Sequence, residues 1–171
     1  ECEAFLTSKG FSLSRTDIQE CYMVFGGIPY YLNLLNHRYS IVQNIDTLLF
    51  NQEGQLYFEY QRLFSSLFRN PQKHTAIIKA LAKRRSGRTR TELIKDTGIA
   101  DGGLFTKALE ELEQCGFIRS FKNYAKSKTD AYYQLIDPFV VFWFNFLTEK
   151  KFTSWTKYYG TPSYYSWRGN A

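Results

Sequence analysis

Between Gln72 and Ile136 the hydrophobic period changes from helical to alternating, and no other feature limits the possible folds of this chain so strongly. Residues 72–83 place Ile77, Ile78 and Leu81 on one helical face, and the polar run 84–88, with Gly87 in it, breaks that pattern. Thr89-Arg90-Thr91-Glu92 has the spacing of a capping box, in which a hydroxyl and a carboxylate satisfy amides left without partners at a helix start. The box opens a short helix with Leu93 and Ile94 inward, and Gly98 ends it. Asp101 is a suitable cap for a longer helix, 102–114, with Leu104, Phe105, Ala108, Leu109 and Leu112 on its inner face and Gly116 as terminator. Residues 117–121 and 131–136 then alternate as strands, and the polar stretch 123–130 joins them as a hairpin.

Three helices followed by a two-stranded hairpin is the order of a winged helix-turn-helix. The first seventy residues read instead as helices alone. Ser14-Arg15-Thr16-Asp17 is a further capping box, after which Ile18, Cys21, Tyr22 and Phe25 fall on one face. Gly26-Gly27 stops that helix, Pro29 restricts Ile28 to extended geometry, and the proline can open a second helix over 30–36. Ser40 caps a third, carrying Ile41, Ile45, Leu48 and Leu49. A fourth, 56–68, has Tyr60, Leu63, Phe64 and Leu67 as its stripe. After Asp137-Pro138 the segment 139–147 is almost wholly apolar yet too short to cross a bilayer, so it reads as a helix packed against a further domain. Trp155, Tyr158, Tyr159, Tyr164, Tyr165 and Trp167 follow without a clear period, as a connecting stretch. The expected organisation is therefore mainly α: a helical module at 1–70, a winged helix-turn-helix with a small β-hairpin wing at 71–136, and an apolar helix with an aromatic linker at 137–171.

The net charge of +6 is concentrated. Residues 72–136 hold thirteen Lys and Arg against seven Asp and Glu, an excess that equals the charge of the whole chain. A localised basic field is the footprint of nucleic-acid binding, with a solvated surface as the alternative. Arg84, Arg85, Arg88 and Arg90, before the second helix of the module, are candidates for phosphate contacts. Thr106 and Lys107 on the third helix and Lys122, Lys126 and Lys128 in the hairpin join them. Glu110, Glu111 and Glu113 on the third helix, and Asp101-Gly102-Gly103 at its start, are poor base readers, so backbone binding without sequence preference is the expectation.

Several classes are disfavoured. Cys2, Cys21 and Cys115 form no CxxC pair, and His37 and His74 lie far apart, so neither a metal site nor a nucleophile with its base is expected. Acids such as Glu110-Glu111 read as solvated helix surface. Without a long apolar run or a signal-like start, a soluble, cytoplasmic protein that meets no membrane is expected. The opening at Glu1, with Met23 as the only methionine, and the end just after an aromatic run suggest a segment of a longer protein. An aromatic fraction of 18% is high enough that some rings are expected to face a partner or a further domain.

Gly26-Gly27-Ile28-Pro29-Tyr30-Tyr31-Leu32, set between helices, together with the 102–114 helix pattern and Asp137-Pro138-Phe139, resembles the C-terminal part of a prokaryotic AAA+-type ATPase. In that group a helical lid and a winged helix follow the nucleotide-binding core, and a C-terminal domain often regarded as nuclease-like can come next. The resemblance covers nearly the whole chain. It implies that the 1–70 module is lid-like and that Gly27, Ile28 and Pro29 lie against the adenine of a nucleotide held mainly by the core. It also implies ATP as the cofactor of the full-length protein, with none belonging to this segment. The implied partners are the ATPase core, the C-terminal domain and double-stranded DNA. No GxxxxGK[ST] phosphate loop occurs, so the segment is expected to be no enzyme by itself. The expected role is a regulatory, nucleotide-sensing arm that contacts DNA or a protein partner. The alternative is a stand-alone DNA-binding winged helix protein tolerant of sequence.

Overall fold

Ser14, Ser40 and Thr89 each close a capping box at a helix start in the computed structural model, which describes residues 1–122, 131–148 and 153–169. In chain order the elements are α1 (Cys2–Ser8), α2 (Arg15–Phe25), α3 (Pro29–Asn33), α4 (Ile41–Ile45), which continues into a π-helical turn (Asp46–Phe50), α5 (Glu59–Leu67) and α6 (Gln72–Ala82). Then come β1 (Arg88–Thr89), α7 (Arg90–Thr97), α8 (Gly103–Gln114), β2 (Ile118–Lys122), β3 (Ala131–Leu135), α9 (Pro138–Phe142), a second π-helical turn (Trp143–Leu147), α10 (Trp155–Tyr158) and α11 (Pro162–Gly169). The fold is thus mainly helical with one small antiparallel sheet. Among the described residues no helix is long and apolar enough to cross a membrane. Contacts group the chain into two compact units, Glu1–Tyr60 with Asn145–Ala171, and Gln61–Phe144.

In the first unit, Ser14 accepts from the Asp17 amide at 3.1 Å while the Asp17 carboxylate accepts from the Ser14 amide at 3.2 Å, which fixes the start of α2. Gly26 ends α2 in the left-handed region at φ 67° and Gly27 follows at φ 71°, a path that costs a β-carbon-bearing residue strain twice over. Pro29 then opens α3 at its first position, where the missing N–H removes nothing. Asn44 is buried and clamps the loop before α4. Its Oδ1 accepts from the Asn36 amide at 2.7 Å and its Nδ2 donates to the carbonyls of Asn36 and Ser40. The aromatic run that reads as a connecting stretch is folded: α10 and α11 bring Trp155, Tyr158 and Tyr164 into the core of this unit.

A buried polar knot ties those helices down. Glu20 on α2 accepts from Trp155 Nε1 and from the Tyr164 hydroxyl, both at 2.7 Å. Asp46 accepts from the amides of Trp155 and Thr156 and from the hydroxyls of Ser154 and Thr156, so it caps α10 from a distant point in the sequence. Burial pushes the Glu20 carboxyl above the usual glutamate range, against the hydrogen bonds from Tyr164 and Trp155, which pull it down.

In the second unit the sheet order is β1-β3-β2, with Arg88 opposite Tyr133 and Ile118 opposite Leu135. Its core takes Ile77, Ile78 and Leu81 from α6, Leu93 from α7, and Phe105, Ala108, Leu109 and Leu112 from α8. Phe64 stacks on Phe117 at 5.0 Å, and the Phe68 ring lies flat on His74 at 3.8 Å. Asp137 caps α9 by accepting from the Val140 amide at 2.7 Å.

Several expectations are corrected. The strand β1 replaces part of what reads as a loop, because β3 offers its second edge to Arg88 and Thr89. Leu104, expected on the inner face of α8, is 68% exposed, since Phe105, Ala108, Leu109 and Leu112 already complete the buried stripe. Tyr22 and Leu67 are exposed as well, and Val24 and Phe68 take the buried places instead. The helices expected over 30–36 and 56–68 are shorter, as α3 and α5 show. Asp101 does not cap α8. Gly102 stands at that position, and the aspartate is turned toward Arg90.

Candidate nucleic-acid interface

The arginines of the basic run do not form a free phosphate-binding loop. Arg84 Nη1 lies 3.0 Å from Glu92 Oε1, and Glu92 Oε2 accepts from the Thr89 amide at 2.8 Å. That backbone hydrogen bond, with Arg84 adding to it, holds the Glu92 carboxyl below its ordinary range. Arg88 is ion-paired with Asp96 and donates from Nε to the Ala80 carbonyl at 3.0 Å, so it joins α6, β1 and α7. Arg90 Nη2 reaches Asp101 Oδ1 at 2.5 Å and Thr106 Oγ1 at 3.0 Å, and its guanidinium sits 5.0 Å from the Phe105 ring centroid. It fastens the start of α7 to the start of α8. Thr106 also donates to the Gly102 carbonyl at 3.2 Å. Arg88, Arg90 and Thr106 therefore hold this unit together and have little left for a ligand.

The acids of α8 are similarly engaged. Glu111 Oε2 lies 2.8 Å from His74 Nε2, while Glu113 Oε1 accepts from the Ser120 amide at 2.8 Å and its hydroxyl at 2.7 Å. Glu110 and Glu113 are exposed, as expected of helix surface, while Glu111, against His74, is half-buried. Pairing removes cations and acids together, so the positive excess remains but moves. It now rests on exposed cations that include Lys79, Lys83, Arg85, Lys95, Lys107, Arg119 and Lys122. Lys107 Nζ is 3.8 Å from Glu111 Oε1, a loose contact across one helical turn. Lys126 and Lys128 lie outside the described residues.

The start of α8 has a character of its own. Gly102 stands at the cap with no side-chain acceptor for the first amides, Gly103 adds no side chain, and Leu104 projects outward. With Asp101 turned toward Arg90, no side-chain carboxylate caps this helix end, where the helix carries its partial positive charge. The sequence shows Asp101 but not its direction, which follows from where Arg90 stands.

In the first unit, Ile28 is the half-buried cap of α3 and Pro29 is exposed at its first position. A β-carbon at Gly27 would come within 3.3 Å of the Tyr22 ring, so the glycine lets that ring lie against the backbone. Tyr22 and Tyr30 are 51% and 56% exposed. A shallow groove nearby is lined by Glu1, Cys2, Arg15, Ile18, Gln19 and Tyr22, and none of Gly27, Ile28 and Pro29 contributes to it. Among the described residues no three His, Cys, Asp or Glu side chains group closely enough to hold a metal ion. In comparisons with family models, curated proteins and solved structures, the chain matches none.

Proposed function

We propose that the unit Gln61–Phe144 is a winged helix-turn-helix that grips the DNA backbone with little regard to sequence, as the non-catalytic arm of a cytoplasmic AAA+-type ATPase. The observation that carries this reading is the order α6-β1-α7-α8-β2-β3 with the sheet order β1-β3-β2, on the part of the chain that holds the entire positive excess. In this reading α8 enters the groove. Its open amides at Gly103 and Leu104 meet a phosphate, with Lys107 beside them and Arg85 and Lys122 on the flanks. Arg84 takes part only by loosening its half-exposed pair with Glu92.

In the first unit the same reading gives Gly27, Ile28 and Pro29 to a nucleotide, ATP, held by a core outside this chain. The exposure of Pro29, Tyr22 and Tyr30 supports a covering partner on that surface.

Titration of the chain with a labelled random-sequence duplex at low and physiological salt tests the DNA reading. Neutralising about three phosphates gives a log–log salt slope near −2.7, so a roughly fourfold rise in salt should weaken binding about fortyfold. The combined replacement of Arg85, Lys107 and Lys122 by Ala should remove most of that slope. Absence of binding at low salt would overturn the reading.

A further inference from the structure

We propose that the outward face of the β2–β3 pair is a stacking platform for an unpaired base of nucleic acid, an inference that rests on the DNA-contacting reading of this unit. Register and alternation define the face. Ile118 is buried opposite Leu135, so Arg119 and Phe121 point the other way, opposite Gln134 and Tyr132. Phe121 and Tyr132 stack across the strands with centroids 5.7 Å apart and planes at 26°, and Phe121 remains 37% exposed. The Arg119 guanidinium sits 5.9 Å from the Phe121 centroid.

The cation is held there by a short relay. Arg119 Nε donates to Gln134 Oε1 at 2.9 Å, and Gln134 Nε2 donates to the Arg85 carbonyl at 2.7 Å. Gly87 permits the arrangement: at φ 84°, a β-carbon there would meet the Tyr133 carbonyl oxygen at 2.8 Å and Phe121 Cε1 at 3.5 Å. A cross-strand aromatic pair also stabilises its own hairpin, but that role needs no cation fixed over a part-exposed ring. An occupant that uses both features must present a flat π-face and a negative charge at close range. An unpaired nucleotide does so, whereas bases inside a duplex are already stacked and offer only their phosphates. The positive excess of this part of the chain selects nucleic acid over an uncharged partner.

Fluorescence anisotropy with three labelled ligands separates base from phosphate: a blunt duplex, the duplex with a short single-stranded tail, and the duplex with the same tail made abasic. The chain should bind the base-bearing tail about tenfold more tightly than the abasic one. Phe121→Leu, which keeps an apolar side chain but removes the ring, should abolish that preference and leave blunt-duplex affinity unchanged. Arg119→Gln should reduce the preference without disturbing the aromatic pair. Equal binding of both tails by the unaltered chain, with the duplex still bound, would overturn the platform and leave the DNA reading standing. Retention of the full preference in Phe121→Leu would overturn it too. Failure to bind any of the three ligands would remove the DNA reading itself.

Discussion

Trp155→Ala should destabilise the unit formed by Glu1–Tyr60 and Asn145–Ala171 by about 4 kcal/mol. The indole is fully buried, with the rings of Phe146, Tyr158 and Trp167 at 5.0, 5.1 and 5.3 Å from its own. Truncation removes the transfer energy of a large aromatic side chain and leaves a cavity whose walls are other rings, which cannot collapse into it. It also removes one of the two side-chain hydrogen bonds that Glu20 accepts, leaving a buried carboxyl less well compensated. Trp155→Phe keeps a ring and loses the N–H, so its expected cost is roughly half as great. Denaturant unfolding followed by far-ultraviolet circular dichroism reads both values. A loss below about 1 kcal/mol for the alanine variant would show that the C-terminal helices add little to this core.

Glu20→Ala should cost about 3 kcal/mol at neutral pH, because Trp155 Nε1 and the Tyr164 hydroxyl are then buried without their acceptor. Glu20→Gln should cost less, since a carboxamide can accept from the indole and donate to the phenol oxygen. The pH dependence separates the carboxyl's charge from its shape. Burial raises the folded-state value of Glu20 above that of the unfolded chain, so the folded chain keeps a proton that the unfolded chain releases. The stabilisation from this group is complete below the ordinary glutamate value of about 4.3 and is lost as pH rises through the folded value. The difference in unfolding free energy between the unaltered chain and Glu20→Gln should therefore move in the variant's favour from pH about 4 toward neutrality. A difference that stays flat would mean that burial does not perturb the carboxyl, and one that moves the other way that the carboxylate is held as a stabilised anion.

Local chemistry was legible in the sequence wherever it acts over a few residues. The capping boxes at Ser14 and Thr89, the left-handed stops at Gly26 and Gly98, and the stripe Phe105-Ala108-Leu109-Leu112 all read directly, because each depends on spacing along one helix. The strand β1 did not, since two polar residues carry no period and pair only because β3 lies beside them. The aromatic tail was illegible for a different reason. Trp155 with Tyr158, and Tyr164 with Trp167, are each at helical spacing, but Gly160 and Pro162 break the run into pieces too short to show it.

The candidate site was legible as a charge total and not as a list of residues. Arg84, Arg88 and Arg90 look alike in the sequence, yet Glu92, Asp96 and Asp101 engage them in the folded unit. The acid that each arginine meets depends on how α7 and α8 are set against one another, which spacing alone does not encode. Glu20 carried only one sequence signal, a carboxylate directly before buried Cys21 on the apolar side of α2, and its partners lie at the other end of the chain.

The most direct test of the account is amide chemical-shift mapping of the isotope-labelled chain during titration with a random-sequence duplex at low salt. The account predicts shifts concentrated at Arg85, Gly103, Leu104, Lys107 and Lys122, fading as salt is raised, while Glu20, Asp46 and Trp155 in the other unit stay unmoved. An unchanged spectrum at low salt, or shifts confined to Tyr22, Gly27 and Tyr30, would contradict it.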